Sequence, residues 1–271
     1  MELRQLIKVG KAAARFWWRG RSVWLDTGEA WKFFAASHGW RYGNWTADFR
    51  LGPVFLTVRP EDWYAFEEIV LDKEYDVVGT LLEGIPRPVV LDLGANIGLF
   101  SAVVFTAQPL AFIVAVEASK TTFAWLRRNQ ERNPELLWEV HHCAVVGRIG
   151  DVGFTQGALS TGGRVSDEGE ERVQGTTLEW VVARAGGNVD LVKMDIEGSE
   201  EDVLTANPQV LKKIRYLLVE IHPTLCNEDR VVQCLRAEFS HLYEILGRKS
   251  SKPLILASRK RHNLPEFGSV E

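Results

Sequence analysis

The sequence predicts an α/β fold, a mostly parallel sheet with helices on both faces. Three observations predict it. From Val89 onward, short apolar runs of strand length alternate with helical stretches, the pattern of repeated βαβ units. Four of these runs end in polar or glycine-bearing turns, as strands do at a ligand-binding rim. The last two runs, Leu242–Leu246 and Leu254–Ser258, are joined only by Gly247–Pro253, too short for a parallel crossover, so one of them must run antiparallel.

In chain order, Leu3, Leu6, Ile7, Ala13, Ala14, Trp17 and Trp18 recur at helical spacing, and a second helical stretch runs from Gly28 to Ala36. Residues 49–58 read as a hairpin about Gly52-Pro53. Residues 60–84 read as one helix, with Trp63, Phe66, Ile69 and Val70 on one side. Pro86 and Pro88 then break the chain. Val89–Leu93 is a buried strand and Leu99–Ala107 an apolar helix. Phe112–Val116 is a strand ending at Glu117, and Thr121–Asn133 a helix whose wet face carries Arg127, Arg128, Glu131 and Arg132. Trp138–Val145 is the third strand of this series. Residues 151–177, rich in Gly, Ser, Thr and charge, give a strand, a mobile loop and a return strand. Leu178–Ala185 is helical, Asp190–Ile196 a strand, and Glu200–Leu204 opens a helix. Tyr216–His222 is a strand, Glu228–Phe239 a helix, and the last ten residues a frayed tail. The division is therefore a Trp-rich basic cap and lead-in over 1–80 and an α/β domain over 81–271.

Composition narrows the function classes. Lys plus Arg number 32 and Asp plus Glu 36, a formal charge of −4 over 271 residues. That balance argues against a dedicated nucleic-acid binder. It is not uniform: residues 1–50 hold nine basic and four acidic side chains, and seven of the ten tryptophans precede residue 64. Cys143, Cys226 and Cys234 fit neither a disulfide framework nor a zinc motif and read as buried thiols in a reducing compartment. No apolar run reaches the length of a membrane span, and Lys8, Lys11 and Arg15 interrupt any signal-peptide core. The expectation is a cytoplasmic protein.

The segment Val90-Leu91-Asp92-Leu93-Gly94-Ala95-Asn96-Ile97-Gly98 carries a strand into an acidic residue, a glycine turn and a helix. Gly94 and Gly98 let backbone approach a ligand where a Cβ would clash. This is not the dinucleotide fingerprint, because Asn96 and Leu99 replace two of its glycines. Asp92 sits poorly beside a pyrophosphate and well beside a cationic ligand. Glu117, ending the next strand, can accept hydrogen bonds from both hydroxyls of a ribose. Asp190–Glu200 delivers Asp195 and Glu197 to the same edge, with Gly198 allowing a tight exit, and Glu220-Ile221-His222-Pro223 completes the rim.

The blocks VLDLGANIGLFS, VEAS, DLVKMDIEGSE and VEIHP resemble the FkbM-type family of S-adenosylmethionine-dependent methyltransferases, over about Leu51 to His222. The resemblance implies a class I methyltransferase fold with seven strands, the last antiparallel; the helical spacing of the Trp-rich arm adds the expectation of a helical N-terminal cap. It implies that Asp92, Gly94, Ala95, Asn96 and Gly98 hold the methionine end of the cofactor, with Asp92 acting on the ammonium directly or through water. Glu117 would bind the ribose, Ala118 and Ser119 would lie beside the adenosine, and Cys143 and Ala144 would border the adenine. Asp195 would face the sulfonium and the acceptor.

A hydroxyl acceptor needs a base, and Asp195, Glu197 and His222 are the candidates, His222 because an ordinary histidine titrates near neutrality. Alternatively, Asp195 and Glu197 with His222 hold a divalent cation that acidifies the hydroxyl. The loop Gln156–Gln174 suits a flap over the site. The basic arm reads as a cap over the acceptor pocket, a membrane-surface helix over residues 1–24, or a homodimer contact. The function expected is O-methylation of a small molecule, sugar or glycan. N- or carboxyl-methylation and a non-catalytic binding protein compete with it. A nicotinamide oxidoreductase is disfavoured by Asn96 and Leu99.

Overall fold

A computed structural model describes residues 46–157, 160–245, 251–262, 264 and 267–270. The basic arm, with six of the seven early tryptophans, lies outside the described residues. A hairpin opens the fold, β1 (Ala47–Leu51) against β2 (Val54–Val58), turning tightly at Gly52 and Pro53. The expected helix over 60–84 is instead broken. A 3₁₀ turn at Pro60–Asp62 leads into α1 (Trp63–Phe66), which widens to a π-helical turn over Glu67–Leu71. Lys73 then takes φ 57°, a left-handed conformation that ends a helix, before α2 (Val77–Leu81).

The next elements are β3 (Val89–Leu93), α3 (Leu99–Ala107), β4 (Phe112–Glu117), α4 (Lys120–Glu131) and β5 (Leu137–His142). Cys143 separates β5 from β6 (Ala144–Val145), so the strand expected over 138–145 divides between two sheets. Next come β7 (Gly150–Thr155), β8 (Arg164–Val165), β9 (Glu171–Thr176) and α5 (Leu178–Arg184). The chain continues through β10 (Val189–Met194), α6 (Glu200–Ala206), β11 (Ile214–Glu220) and α7 (Glu228–Glu238). It closes with β12 (His241–Ile245), β13 (Leu254–Ser258) and β14 (Phe267–Ser269).

The main sheet runs β14-β12-β13-β11-β10-β3-β4-β5, with β5, β4, β3, β10 and β11 parallel. β13 lies antiparallel between β11 and β12, the inversion that the short last connection requires. The seven expected strands are present, and β14, from the segment expected to fray, adds an edge strand beside β12. β6, β9, β7 and β8 form a second, small sheet.

Strand alternation sorts the core. Val90, Ile113, Leu191 and Leu218 point to the face covered by the hairpin, α1, α2 and α3. Leu91, Val114, Val192 and Leu217 point to the face covered by α5, α6 and α7. The lead-in residues Leu56, Phe66, Tyr75 and Leu81 share the first cluster with Leu99 and Phe100, so the segment after residue 46 is built into the domain's core. Two asparagines of the connection after β4 fasten the hairpin. Asn129 Oδ1 accepts from the Thr57 N–H at 2.8 Å, and Asn133 Oδ1 from the Phe55 N–H at 2.8 Å. These amides satisfy the edge of β2 as a further strand would. Among the described residues no helix is long and apolar enough to cross a membrane. The three cysteines are free thiols.

Candidate active site

Parallel strands β3, β4 and β10 end at one rim, and a cavity of ≈ 360 Å³ opens above it. Its wall includes Gly94, Ala95, Asn96, Glu117, Ala118, Ser119, Cys143, Ala144, Asp195 and Glu197. Two expected cofactor residues stand behind that wall. Asp92 is fully buried, its Oδ2 accepting from Ser101 Oγ at 2.7 Å. Gly98 is required by packing: a Cβ there would meet the Trp138 ring at 2.4 Å. Gly94, at φ 75°, passes so close to the next strand end that a Cβ would lie 1.8 Å from the Asp195 carbonyl oxygen. The close approach at Gly98 is therefore to the protein itself, and Gly94 both passes against the next strand end and lines the cavity.

The turn places backbone donors on Glu117. Its Oε2 accepts from the Asn96 N–H at 2.9 Å and its Oε1 from the Ser119 N–H at 2.8 Å. Each oxygen keeps a lone pair for a further donor. Burial lifts this carboxyl to about 7 despite those hydrogen bonds. Ser119 also caps α4 through Thr122 N, and its hydroxyl donates to Gln156 Oε1 at 2.6 Å. Cys143 is an unpartnered apolar wall, its thiol pushed up to about 11 by burial.

Lys193 had no role in the sequence reading. Its register partner on β3 is Asp92, and its ammonium donates to the Gly94 carbonyl at 2.7 Å. It lies 3.3 Å from Asp195 Oδ2 and 3.9 Å from Asp92 Oδ1. Burial opposes the lysine's charge, but Asp195, Asp92 and Glu220 outweigh it and raise its pKa.

The second half of the rim surrounds His222, which is 2% exposed. Nδ1 bonds Glu200 Oε1 at 2.9 Å. Nε2 lies 3.0 Å from Glu197 Oε2 and 3.7 Å from both Asp195 Oδ1 and Glu220 Oε1. Burial disfavours the imidazolium, yet Glu197 and Glu200 push its pKa up to about 10. The near-neutral titration that recommended His222 as a base is therefore absent. Glu197 is held down to about 2, since His222, Lys252 and the Gly162 N–H overcome its own burial. Glu220 stands on the rim as expected, without a role assigned to it. Glu200 and Lys252 were missed, because a helix start and the connection before β13 bring them to His222 and Glu197 only through tertiary packing.

The expected flap lies across both halves. Asn96 Nδ2 donates to the Ser160 hydroxyl at 3.3 Å, and the Gly162 N–H donates to Glu197 Oε1 at 3.0 Å. With Gln156 on Ser119, one segment touches the cavity wall and the acidic rim.

The methyltransferase FkbM domain profile matches residues 92–252. The chain belongs to the FkbM methyltransferase family. Hexuronic acid methyltransferase AglP of Haloferax volcanii is 30% identical over 162 residues, covering 58% of this chain and 65% of that protein. The match thus spans just under two thirds of that relative's length. The 31-O-demethyl-FK506 methyltransferase FkbM of Streptomyces tacrolimicus is 28% identical over 212 residues, covering 65% of this chain and 80% of that protein. The METTL16 methyltransferase domain shares the fold at TM-score 0.50 and 11% identity, over 93% of this chain and 92% of that one. S-adenosylmethionine is the methyl donor of this FkbM-family domain. The cavity fits that group: the Gly94–Asn96 turn lines it, Glu117 presents carboxylate lone pairs that can meet hydroxyl donors, and Asp195 adds a carboxylate to its wall.

Proposed function

We propose that the chain methylates a hydroxyl of a small molecule, sugar or glycan. The observation that carries this reading is Asp195. It stands on the cavity wall, Lys193 balances its Oδ2, and its buried Oδ1 has no hydrogen-bond partner among the described residues. A buried acceptor without a donor is costly, and an acceptor hydroxyl supplies the donor.

S-adenosylmethionine supplies a methyl group already activated on a sulfonium. The chain's residues supply the rest. Glu117 accepts hydrogen bonds from the ribose hydroxyls. Asp92 acts from behind the wall, through the field it shares with Lys193, rather than by touching the ammonium. Asp195 accepts the proton of the nucleophilic hydroxyl and orients it. Glu197 already accepts from Gly162 and faces two cations, so it holds the flap rather than the proton. His222, charged at neutral pH, positions the carboxylates around it. Gln156, Ser160 and Gly162 of the flap close over the site and exclude water.

Carboxyl methylation is a second reading, favoured by one observation: the relative AglP acts on a hexuronic acid, which carries both groups. Incubating extracts and a panel of uronic acids with enzyme and methyl-labelled S-adenosylmethionine tests the choice. The proposal expects label in a base-stable methyl ether. Label released by mild base as methanol would show an ester and overturn it.

A further inference from the structure

We propose that Asp195, Glu220 and His222 form a binding site for a divalent cation of the Mg²⁺ or Mn²⁺ class. One donor atom from each lies within 4.8 Å of the others. Clustered carboxylates alone would not make a site, but a buried imidazole nitrogen is aimed among them. His222 is 98% buried by its 2% exposure, and its Nε2 has no aligned hydrogen bond among the described residues. Asp195 Oδ1, 3.7 Å from that nitrogen, is the second buried atom lacking a partner. A cation would give both atoms a ligand bond, on Nε2 in place of the Glu197 Oε2 ion pair at 3.0 Å, and would stand beside the acceptor hydroxyl that Asp195 meets in the reading above.

Ligand atoms about 2.1 Å from a shared ion stand roughly 3–3.5 Å apart; the 3.7 Å from His222 Nε2 to each carboxylate oxygen is close to that, and the donors as a set, within 4.8 Å, would draw together on binding. Two of the three donors are carboxylate oxygens, which select hard cations. Glu200 on Nδ1 fixes the ring and its tautomer, the usual support of a metal-bound histidine. The charges agree as well. Asp195, Glu197, Glu200 and Glu220 surround the ring, while Lys193 and Lys252 are the lysines paired with them among the described residues. Binding exchanges an Nε2 proton for the metal and releases the proton to solvent.

Glu197, the partner suggested by the sequence, gives way to Glu220. Both carboxylates line the cavity, but Glu197 is committed on both oxygens, Oε1 to the Gly162 N–H and Oε2 to His222 Nε2 at 3.0 Å and Lys252 at 3.4 Å, whereas the contacts of Glu220 Oε1 with the ring and Lys252 are longer, 3.7 and 3.5 Å. A cation there borders the cavity through Asp195 and Glu220. Its use, lowering the pKa of the acceptor hydroxyl, rests on the methyltransferase reading above; its binding does not.

Titration of the full chain with Mn²⁺, read by the electron paramagnetic resonance of the free ion without cofactor or acceptor, tests the site. The expected result is about one bound Mn²⁺ per chain, displaced by Mg²⁺. Asp195→Asn and Glu220→Gln should each weaken binding at least about tenfold, and Glu201→Gln, whose carboxylate pairs with Arg230 at the surface, should not. S-adenosylhomocysteine calorimetry on each variant reports folding. Anomalous scattering from a Mn²⁺-soaked crystal of the unaltered protein locates the ion without any variant. No Mn²⁺ bound at millimolar concentration, or an ion away from these three side chains, overturns the site. Mn²⁺ binding without S-adenosylhomocysteine binding supports the site and removes the methyltransferase reading.

Discussion

Lys193 holds its ammonium between two carboxylates of adjacent strand ends, Asp92 and Asp195, while donating to the Gly94 carbonyl. Removing that cation leaves Asp92 buried with no opposite charge beside it, only the hydrogen bond from Ser101. Lys193→Met should therefore cost about 3–5 kcal/mol, as broken buried pairs do, measured by urea denaturation; a loss under 1 kcal/mol would contradict it. Glu117 gives a pH signature. Its carboxyl titrates at about 7, and ribose hydroxyls favour the ionised form. Below that pH binding must expel a proton, so affinity for S-adenosylhomocysteine should rise with pH and level off above about 7. Glu117→Gln should flatten the profile. In the unliganded fold the same raised pKa has the opposite sign. The unfolded carboxyl ionises near 4.5 and the folded one near 7, so the contribution to stability is full below 4.5 and declines as pH rises through 7. Glu117 and Asp195 were legible because each ends an apolar run beside a turn. Lys193, Glu200 and Lys252 were not, because their meaning comes from strand register and tertiary packing.

Among the elements, the flap and the hairpin depend on a few polar contacts. Gln156→Ala removes the bond from Ser119 and should weaken closure by about 0.5–1.5 kcal/mol. Dissociation of S-adenosylhomocysteine in stopped flow should quicken by roughly two- to tenfold; an unchanged rate would mean that this contact does not close the site. Asn129→Ala strips a partner from both the N–H and C=O of Thr57 and from the Ile97 carbonyl. Each buried group left unsatisfied costs about 1–3 kcal/mol, so the variant should melt well below the parent in calorimetry. The hairpin was legible from alternation about Gly52-Pro53. The broken helix after it was not, because Trp63, Phe66, Ile69 and Val70 suit a continuous helix as well as a helical stretch that widens at Glu67. The edge strand β14 escaped for another reason. A three-residue strand leaves little periodicity, and its pairing comes from β12.

For the whole molecule, the parallel sheet with β13 inverted followed from the strand–helix alternation and the short last connection, and it brings four strand ends to one cavity. The arm before residue 46 remains an expectation drawn from its charge and tryptophans. The described cavity wall begins at Tyr64, so deleting residues 1–24 should leave S-adenosylhomocysteine affinity near normal. If the arm caps the acceptor pocket, turnover falls. If it lies on a membrane surface, turnover survives and salt-sensitive sedimentation with anionic vesicles is lost. The central claim is that the rim of β3 and β4 binds the methyl donor through Glu117. Calorimetric titration of S-adenosylhomocysteine into the full chain and into Glu117→Ala tests it most directly. The account predicts saturable binding by the parent and a roughly ten- to hundredfold weaker constant for the variant, the loss of two hydrogen bonds to a carboxylate. Equal affinity in the two proteins, or no binding by the parent, would contradict it.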